Sequence, residues 1–219
     1  MTQAVDRFRY RVTFGKQGPL IYTSHLDIAR VWERVLRRAR VPLMYSQGFN
    51  PRPKIHLAAA LPLGYASTCE LLDMWLEQPL NQLEATVEEL RSAAPAGLVI
   101  DQIEAIPLKE PALQTQVRWA DYVIVLDEHL KDSDLTALID GILEREEVWR
   151  ERRKKTVDIR PLIEKLWVEK DEGQRLVMRL SISQDLGSVR PDEVLDEMGL
   201  DVPHARITRS RIWFASTSS

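Results

Sequence analysis

The chain has 219 residues, of which 44% are hydrophobic, and a formal net charge of -3 with a pI near 5.9. That length supports one large core or two small ones, and so weak a net charge excludes a uniformly basic nucleic-acid binder. A single cysteine, Cys69, excludes an internal disulfide and any cysteine cluster for zinc or an iron–sulfur centre.

Residues 8–14 (FRYRVTF) alternate apolar and polar side chains, the pattern of a half-buried strand. Ser24 opens a helix, and Asp27 three residues on completes a capping box. Ile28, Val31, Trp32, Val35, Leu36 and Ala39 recur at helical spacing and mark the buried stripe. Arg30, Arg34, Arg37 and Arg38 fall on the opposite face, and Pro42 ends the helix. Residues 55–61 and 69–77 read as strands around a turn at 62–64. Asn81 is read as the cap of a helix over 83–94, with Leu83, Val87 and Leu90 inward, and residues 98–106 as a closing strand.

The second half repeats this order. A strand at 120–127 precedes a helix over 135–152. Strands at 157–169 and 175–183 pair around a turn at 171–173. A short helix runs from Pro191 to Met198 and stops at Gly199, and a last strand covers 206–214. The expected fold is α+β: two tandem ferredoxin-like (βαββαβ) units with antiparallel sheets. They span 1–108 and 119–219, with 109–118 as linker.

Charge is unevenly placed. From residue 30 to 54 the cations are Arg30, Arg34, Arg37, Arg38, Arg40, Arg52 and Lys54, against one anion, Glu33. Four arginines on one helical face suit bidentate phosphate contact, and the competing reading is a solvated face, which a lone Glu33 to balance the charge weakens. The following loop, GFNPRPK, is stiffened by Pro51 and Pro53, which bias Asn50 and Arg52 towards extended backbone. Phe49 has the shape to stack on a base, and Arg52 and Lys54 to reach phosphate or a base edge. The competing reading makes Phe49 a core plug in a rigid connection.

A second basic run, Arg150, Arg152, Arg153, Lys154 and Lys155, leads to Arg160. His204, Arg206, Arg209 and Arg211 extend it along the last strand. The competing reading is a set of cations at a helix end, where the dipole favours them. Tyr22, His25 and His56 are the candidates for acid–base chemistry, with packing roles as the alternative. No Gly-rich phosphate loop, HExxH or nucleophile elbow occurs. The N-terminal MTQAVDRFRY lacks the apolar run of a secretion signal. No stretch approaches the roughly 20 apolar residues of a membrane span. A cytoplasmic protein with no membrane partner is expected.

The run YTSHLDIARVWERVLRRARVPLMYSQGFNPRPKIHLAAALPLGYAS, with the later KKTVDIRPLI and GSVRPDEVL, resembles the radical-SAM-linked domain of unknown function of bacteria. That family occurs as the C-terminal part of large radical SAM proteins or as a free protein beside one. The resemblance covers nearly the whole chain. It implies an accessory role, with the iron–sulfur cluster and S-adenosylmethionine on a partner radical SAM protein and no cofactor on this chain. A looser similarity, in element order and in Tyr22 and His25 near the first helix, is to tandem ferredoxin-like RNA endonucleases that process CRISPR repeats. The glycine-rich loop those enzymes carry near the C-terminus is missing.

The function expected is therefore binding of structured RNA, a tRNA or an rRNA, and its presentation to a radical SAM modification enzyme. Arg30, Arg34, Arg37, Arg38, Phe49, Asn50, Arg52, Lys54, Arg152, Arg153, Lys154, Lys155 and Arg160 are the expected contacts. The alternatives are a metal-independent endoribonuclease using His25, and a protein-docking module for the radical SAM partner.

Overall fold

A computed structural model describes residues 7–127, 130–153, 155–170, 173–200 and 202–215. The chain divides into two compact units, 1–116 and 117–219. Each is mixed α+β with antiparallel strands.

Unit 1 contains β1 (Phe8–Lys16), α1 (His25–Arg38), β2 (Ile55–Leu57), β3 (Ala66–Leu76), α2 (Leu83–Ala93), β4 (Leu98–Ile106) and the single turn α3 (Leu113–Gln116). β1 pairs with β3 on one side and β4 on the other, and β2 adds to β3, so the order is β4-β1-β3-β2. Alternation along β1 and β3 sends Tyr10, Val12, Phe14, Leu72, Met74 and Leu76 into one core with Ile28, Trp32, Val35 and Leu36 of α1 and Val87 and Leu90 of α2. Trp32 is fully buried and meets Phe14 edge-on at 4.9 Å. Burial of each such side chain contributes about 1.5–3 kcal/mol.

α1 starts as its sequence dictates: the Ser24 hydroxyl accepts from the Asp27 amide. It stops before Pro42. Arg40 takes a left-handed φ of 54°, and the Val41 amide donates to the Leu36 carbonyl, closing a Schellman turn. At α2 the N-cap is Gln82 and not Asn81, with no side-chain cap bond. β2 is shorter than expected: its register with β3 ends at Leu57, followed by one further bond from the Ala58 amide to the Leu71 carbonyl at 3.0 Å. Gly97 has φ of 91°, and a Cβ there would lie 2.2 Å from the Gln17 carbonyl oxygen, so only glycine permits this approach before β4.

The other face of the unit 1 sheet is polar and closed. Asp73, 0% exposed, accepts from Arg9 Nε and one Arg9 amino group at 3.0 and 2.6 Å, and from Arg11 at 2.7 and 3.1 Å. Arg9 also donates to the carbonyls of Glu110 and Pro111 at 2.6 and 2.8 Å. The segment expected to be a linker is therefore tied to β1, and its Leu113 is fully buried.

Unit 2 contains β5 (Val117–Val125), α4 (Asp132–Leu143), the hairpin β6 (Trp149–Arg152) and β7 (Lys155–Asp158), β8 (Ile163–Glu169), β9 (Arg175–Ser183), β10 (Gly187–Ser188), α5 (Pro191–Glu197) and β11 (Arg206–Phe214). Its main sheet runs β11-β5-β9-β8, with β10 also pairing with β9. This is the order of unit 1, with β5, β8, β9 and β11 in the places of β1, β2, β3 and β4. Ala120, Tyr122 and Ile124 of β5 and Leu176, Met178 and Leu180 of β9 are buried, as are Leu135, Ile139 and Ile142 of α4 and Val194 and Leu195 of α5.

The expected helix over 135–152 ends at Leu143. Glu144, Glu146 and Glu147 place negative charge at a C-terminus that disfavours it. Residues 149–152 instead pair as a strand with 155–158. The strand expected at 157–169 is interrupted by a 3-10 turn at Arg160–Leu162, where Pro161 has no amide to give a ladder. The turn expected at 171–173 lies partly outside the described residues.

Replacing Asp73 with alanine leaves two buried guanidinium groups without their carboxylate. Unit 1 should lose about 3–5 kcal/mol, measured by urea unfolding of the full chain.

Candidate nucleic-acid interface

Arg30, Arg34, Arg37, Arg38 and Arg40 are all exposed along α1 and its C-terminal turn. Arg30 meets Asp27 at 3.2 Å, a solvent-exposed pair of little energetic weight. Among the described residues no ion pair engages Arg34, Arg37 or Arg38. The face is a row of exposed guanidinium groups, three of them without a carboxylate partner among the described residues.

The loop after α1 is an ordered hairpin. Its base is tied to β3, with the Met44 amide donating to the Trp75 carbonyl at 2.8 Å and the Trp75 amide to the Lys54 carbonyl at 3.1 Å. Across the hairpin the Lys54 amide donates to Met44 and the Ser46 amide to the Arg52 carbonyl, both at 2.8 Å. The Arg52 amide donates to the Ser46 hydroxyl at 3.0 Å. Gly48 turns the tip at φ of 139°. Phe49 stands there fully exposed, with Asn50 and Arg52 also exposed. The core-plug reading of Phe49 is thereby overturned.

Lys54 is placed differently from Arg52. It is half-buried, with its ammonium 4.9 Å from the Trp75 ring centroid. The guanidinium of Arg9 is 5.1 Å from the same centroid, and the His56 ring meets Trp75 edge-on at 4.8 Å. These contacts fix the foot of the hairpin. His56 Nδ1 is buried without a hydrogen-bond partner. Burial first, and then the neighbouring charge of Lys54, hold its pKa below the ordinary 6.5.

Tyr22 is exposed at the end of a 3-10 turn. His25, the first residue of α1, lines a small pocket with Lys16, Glu70, Phe14, Ile28 and Leu57. Lys16 and Glu70 are both buried, and Lys16 donates to the Thr23 carbonyl at 2.9 Å. Sequence reading missed Lys16, which lies beyond the strand expected at 8–14 although β1 runs on to it, and Glu70, which falls within a strand whose apolar neighbours set the pattern.

The second basic run is mostly engaged within unit 2. Arg150 pairs with Asp196 and Glu197, at 2.7 and 2.9 Å. Arg152 bonds both oxygens of Glu193, at 2.7 and 2.6 Å, and the Ser188 carbonyl. Arg160 donates to the carbonyls of Leu143, Arg145 and Ile163, closing the C-terminus of α4. Arg153, at φ of 53°, and Lys155 are exposed, and Lys154 lies outside the described residues.

β11 carries a bulge between Arg209 and Arg211 that sends the two to opposite faces. Arg209 is fully buried, 5.7 Å from the Tyr122 centroid, whereas Arg206 and Arg211 are exposed. His204 is exposed before β11.

Among the described residues no group of three or more His, Cys, Asp or Glu is placed to hold a metal ion, and no helix is long and apolar enough to cross a membrane.

A basic helix followed by an aromatic hairpin, carried on an antiparallel α+β scaffold, defines a candidate ligand-binding protein of two units. Residues 9–191 match the family model described as an uncharacterized protein conserved in bacteria (DUF2344), and the chain belongs to that family. No curated protein matches the sequence. Among solved structures, a Cbf5-Nop10-Gar1 complex is similar at a TM-score of 0.48 and 9% identity, over 93% of this chain and 48% of that one. The chain thus spans about half the length of that structure. An unknown protein from Galdieria sulphuraria is similar at a TM-score of 0.28 and 11% identity, over 96% of this chain and 99% of that one.

Because the depressed pKa of His56 favours its neutral form in the fold, its contribution to stability is present above the ordinary 6.5 and is lost as pH falls from there through the lower pKa of the fold. The substitution His56→Gln should remove this component. The Tm of the variant is expected to fall less than that of the wild type between pH 7 and pH 5.

Proposed function

We propose that this protein is a non-catalytic accessory factor that binds structured RNA, a tRNA or an rRNA, in the bacterial cytoplasm and presents it to a radical SAM modification enzyme. The observation that carries the reading is the fully exposed Phe49 at the tip of a hydrogen-bonded hairpin, next in sequence to the unneutralised arginines of α1. Exposing an entire phenylalanine ring on a rigid, cationic projection is unfavourable in isolation, and stacking on an RNA base would offset it. Arg34, Arg37 and Arg38 hold phosphates in this reading, and Phe49, Asn50 and Arg52 make the closer contacts. Lys54 supports the hairpin through Trp75.

The strand orders β4-β1-β3-β2 and β11-β5-β9-β8 support assigning both units to the ferredoxin-like class. The radical SAM partner rests on the resemblance of the stretches around YSQGFNPRPK and KKTVDIRPLI. In this reading the iron–sulfur cluster and S-adenosylmethionine belong to that partner.

One observation favours a second reading, a metal-independent endoribonuclease. His25 shares a pocket with Lys16 and Glu70, a histidine beside a cation and a carboxylate. That reading requires RNA cleavage in the presence of a chelator, abolished by His25→Ala.

The combined substitution Arg34→Glu and Arg37→Glu should lower tRNA affinity by more than about tenfold and reduce the slope of log affinity against log salt by about 2. Unchanged affinity and slope would sink the proposal. Arg40→Gly relieves the left-handed backbone, so the variant should gain about 1 kcal/mol in stability, measured by urea unfolding of the full chain.

A further inference from the structure

The two units treat the same sheet face differently. In unit 1, Trp75 is enclosed by Arg9, Lys54 and His56, and Arg9 holds the 107–116 segment by the carbonyls of Glu110 and Pro111. In unit 2 the corresponding face carries Trp119, Asp121, Trp167, Arg179, Arg211 and Trp213. There a cleft of about 430 Å³ stays open, lined by Arg118, Trp119, Glu164, Arg179, Trp213 and Phe214.

The register explains how the cleft is made. Trp213 of β11 lies directly opposite Trp119 of β5, and Trp119 lies opposite Ser181 of β9. Two indoles thus stand side by side next to a small residue. In the neighbouring row Lys165, Arg179, Asp121 and Arg211 follow one another across four strands. Asp121 is consumed internally. It accepts from Arg179 at 2.6 and 3.0 Å and from Trp213 Nε1 at 2.9 Å, so the indole is locked in orientation. The Arg179 guanidinium lies 4.2 Å from the Trp213 centroid and that of Arg211 4.9 Å. Arg118 is 5.9 Å from Trp119. The bulge at Ser210 is what brings Arg211 to this side.

We propose that this cleft is a binding site for single-stranded RNA, with bases stacking on Trp119 and Trp213 and the backbone phosphates meeting Arg118, Arg211 and Lys165. Fixed aromatic faces on a sheet surrounded by cations are what a sequence-tolerant stacking platform requires. Arg118, Lys165, Arg179 and Arg211 outnumber Asp121 and Glu164, and Arg179 meets both carboxylates, at 2.6 and 3.6 Å, so the excess charge complements a polyanion. The site deepens the RNA-binding reading and rests on it for the ligand class, but it uses none of the α1 or hairpin residues. It gives the chain one site for structured RNA on unit 1 and another for an unpaired strand on unit 2.

The test is fluorescence anisotropy with two labelled probes, a short single-stranded oligoadenylate and a blunt RNA hairpin. The oligoadenylate should bind the full chain. Trp119→Ala with Trp213→Ala should weaken it by about tenfold or more, and Trp213→Phe should retain most of the affinity. Trp149→Ala, at an exposed tryptophan outside the cleft, should change nothing. Failure of the oligoadenylate to bind, equal affinity in the double variant, or an equal loss in Trp149→Ala would each overturn the proposal. Ultraviolet cross-linking of the oligoadenylate to the wild-type chain covers the case in which the double variant does not fold. Cross-links mapped to Trp119 or Trp213 support the site, and cross-links confined to other residues overturn it. If Arg34→Glu with Arg37→Glu leaves hairpin affinity intact while the tryptophan variants lose the oligoadenylate, the α1 reading fails and the cleft stands. The converse result removes the cleft alone.

Discussion

Unit 1 is organised around the fully buried carboxylate of Asp73. An isolated Asp73 at zero exposure would be several kcal/mol too costly to keep ionised. Two guanidinium groups from the adjacent strand remove that cost and leave a surplus positive charge, which in turn needs acceptors. Arg9 finds them in two backbone carbonyls beyond β4, so the chain between the units is drawn back onto the sheet of unit 1. The same arginine faces Trp75, whose backbone holds both legs of the 44–54 hairpin. The hairpin is thus anchored on the same β3 residue whose ring packs against Arg9 of the ion pair.

That anchorage bears on recognition. A flexible loop carrying Phe49 and Arg52 would lose side-chain and backbone freedom on binding, at a cost of about 1–2 kcal/mol for each ordered residue. A ladder-bonded hairpin has already lost it during folding. The two non-glycine residues with positive φ among those described, Arg40 and Arg153, are both arginines next to exposed basic stretches. Glycine would serve either turn better on conformational grounds.

Much of this arrangement was legible in the chain. The apolar stripe of α1, the Ser24 start and the alternation of β1 follow from local periodicity, which long-range packing did not disturb. The strands at 98–106, 175–183 and 206–214 were equally plain. Where reading failed, the deciding partner was distant in sequence. A helix over 135–152 satisfies local propensity, but Arg160 closes α4 at Leu143, and Arg150 and Arg152 are drawn to the acidic residues of α5. No local signal separates such arginines from the free ones of α1. The open cleft of unit 2 escaped notice for a related reason. Its tryptophans lie on strands far apart in sequence, and only the register of β5 against β11 sets them side by side.

The ion pairs on the two sheets also have opposite polarity. In unit 1 the first strand carries the arginines and the third the aspartate, whereas in unit 2 the first carries Asp121 and the third Arg179. During synthesis, two adjacent repeats of one topology risk exchanging strands and becoming trapped. A hybrid sheet joining β1 to β9 would set Arg9 and Arg11 against Arg179, and one joining β5 to β3 would set Asp121 against Asp73. Both wrong pairings would set like charges directly opposite each other on adjacent strands, which is destabilising, so the reversal favours the native partners.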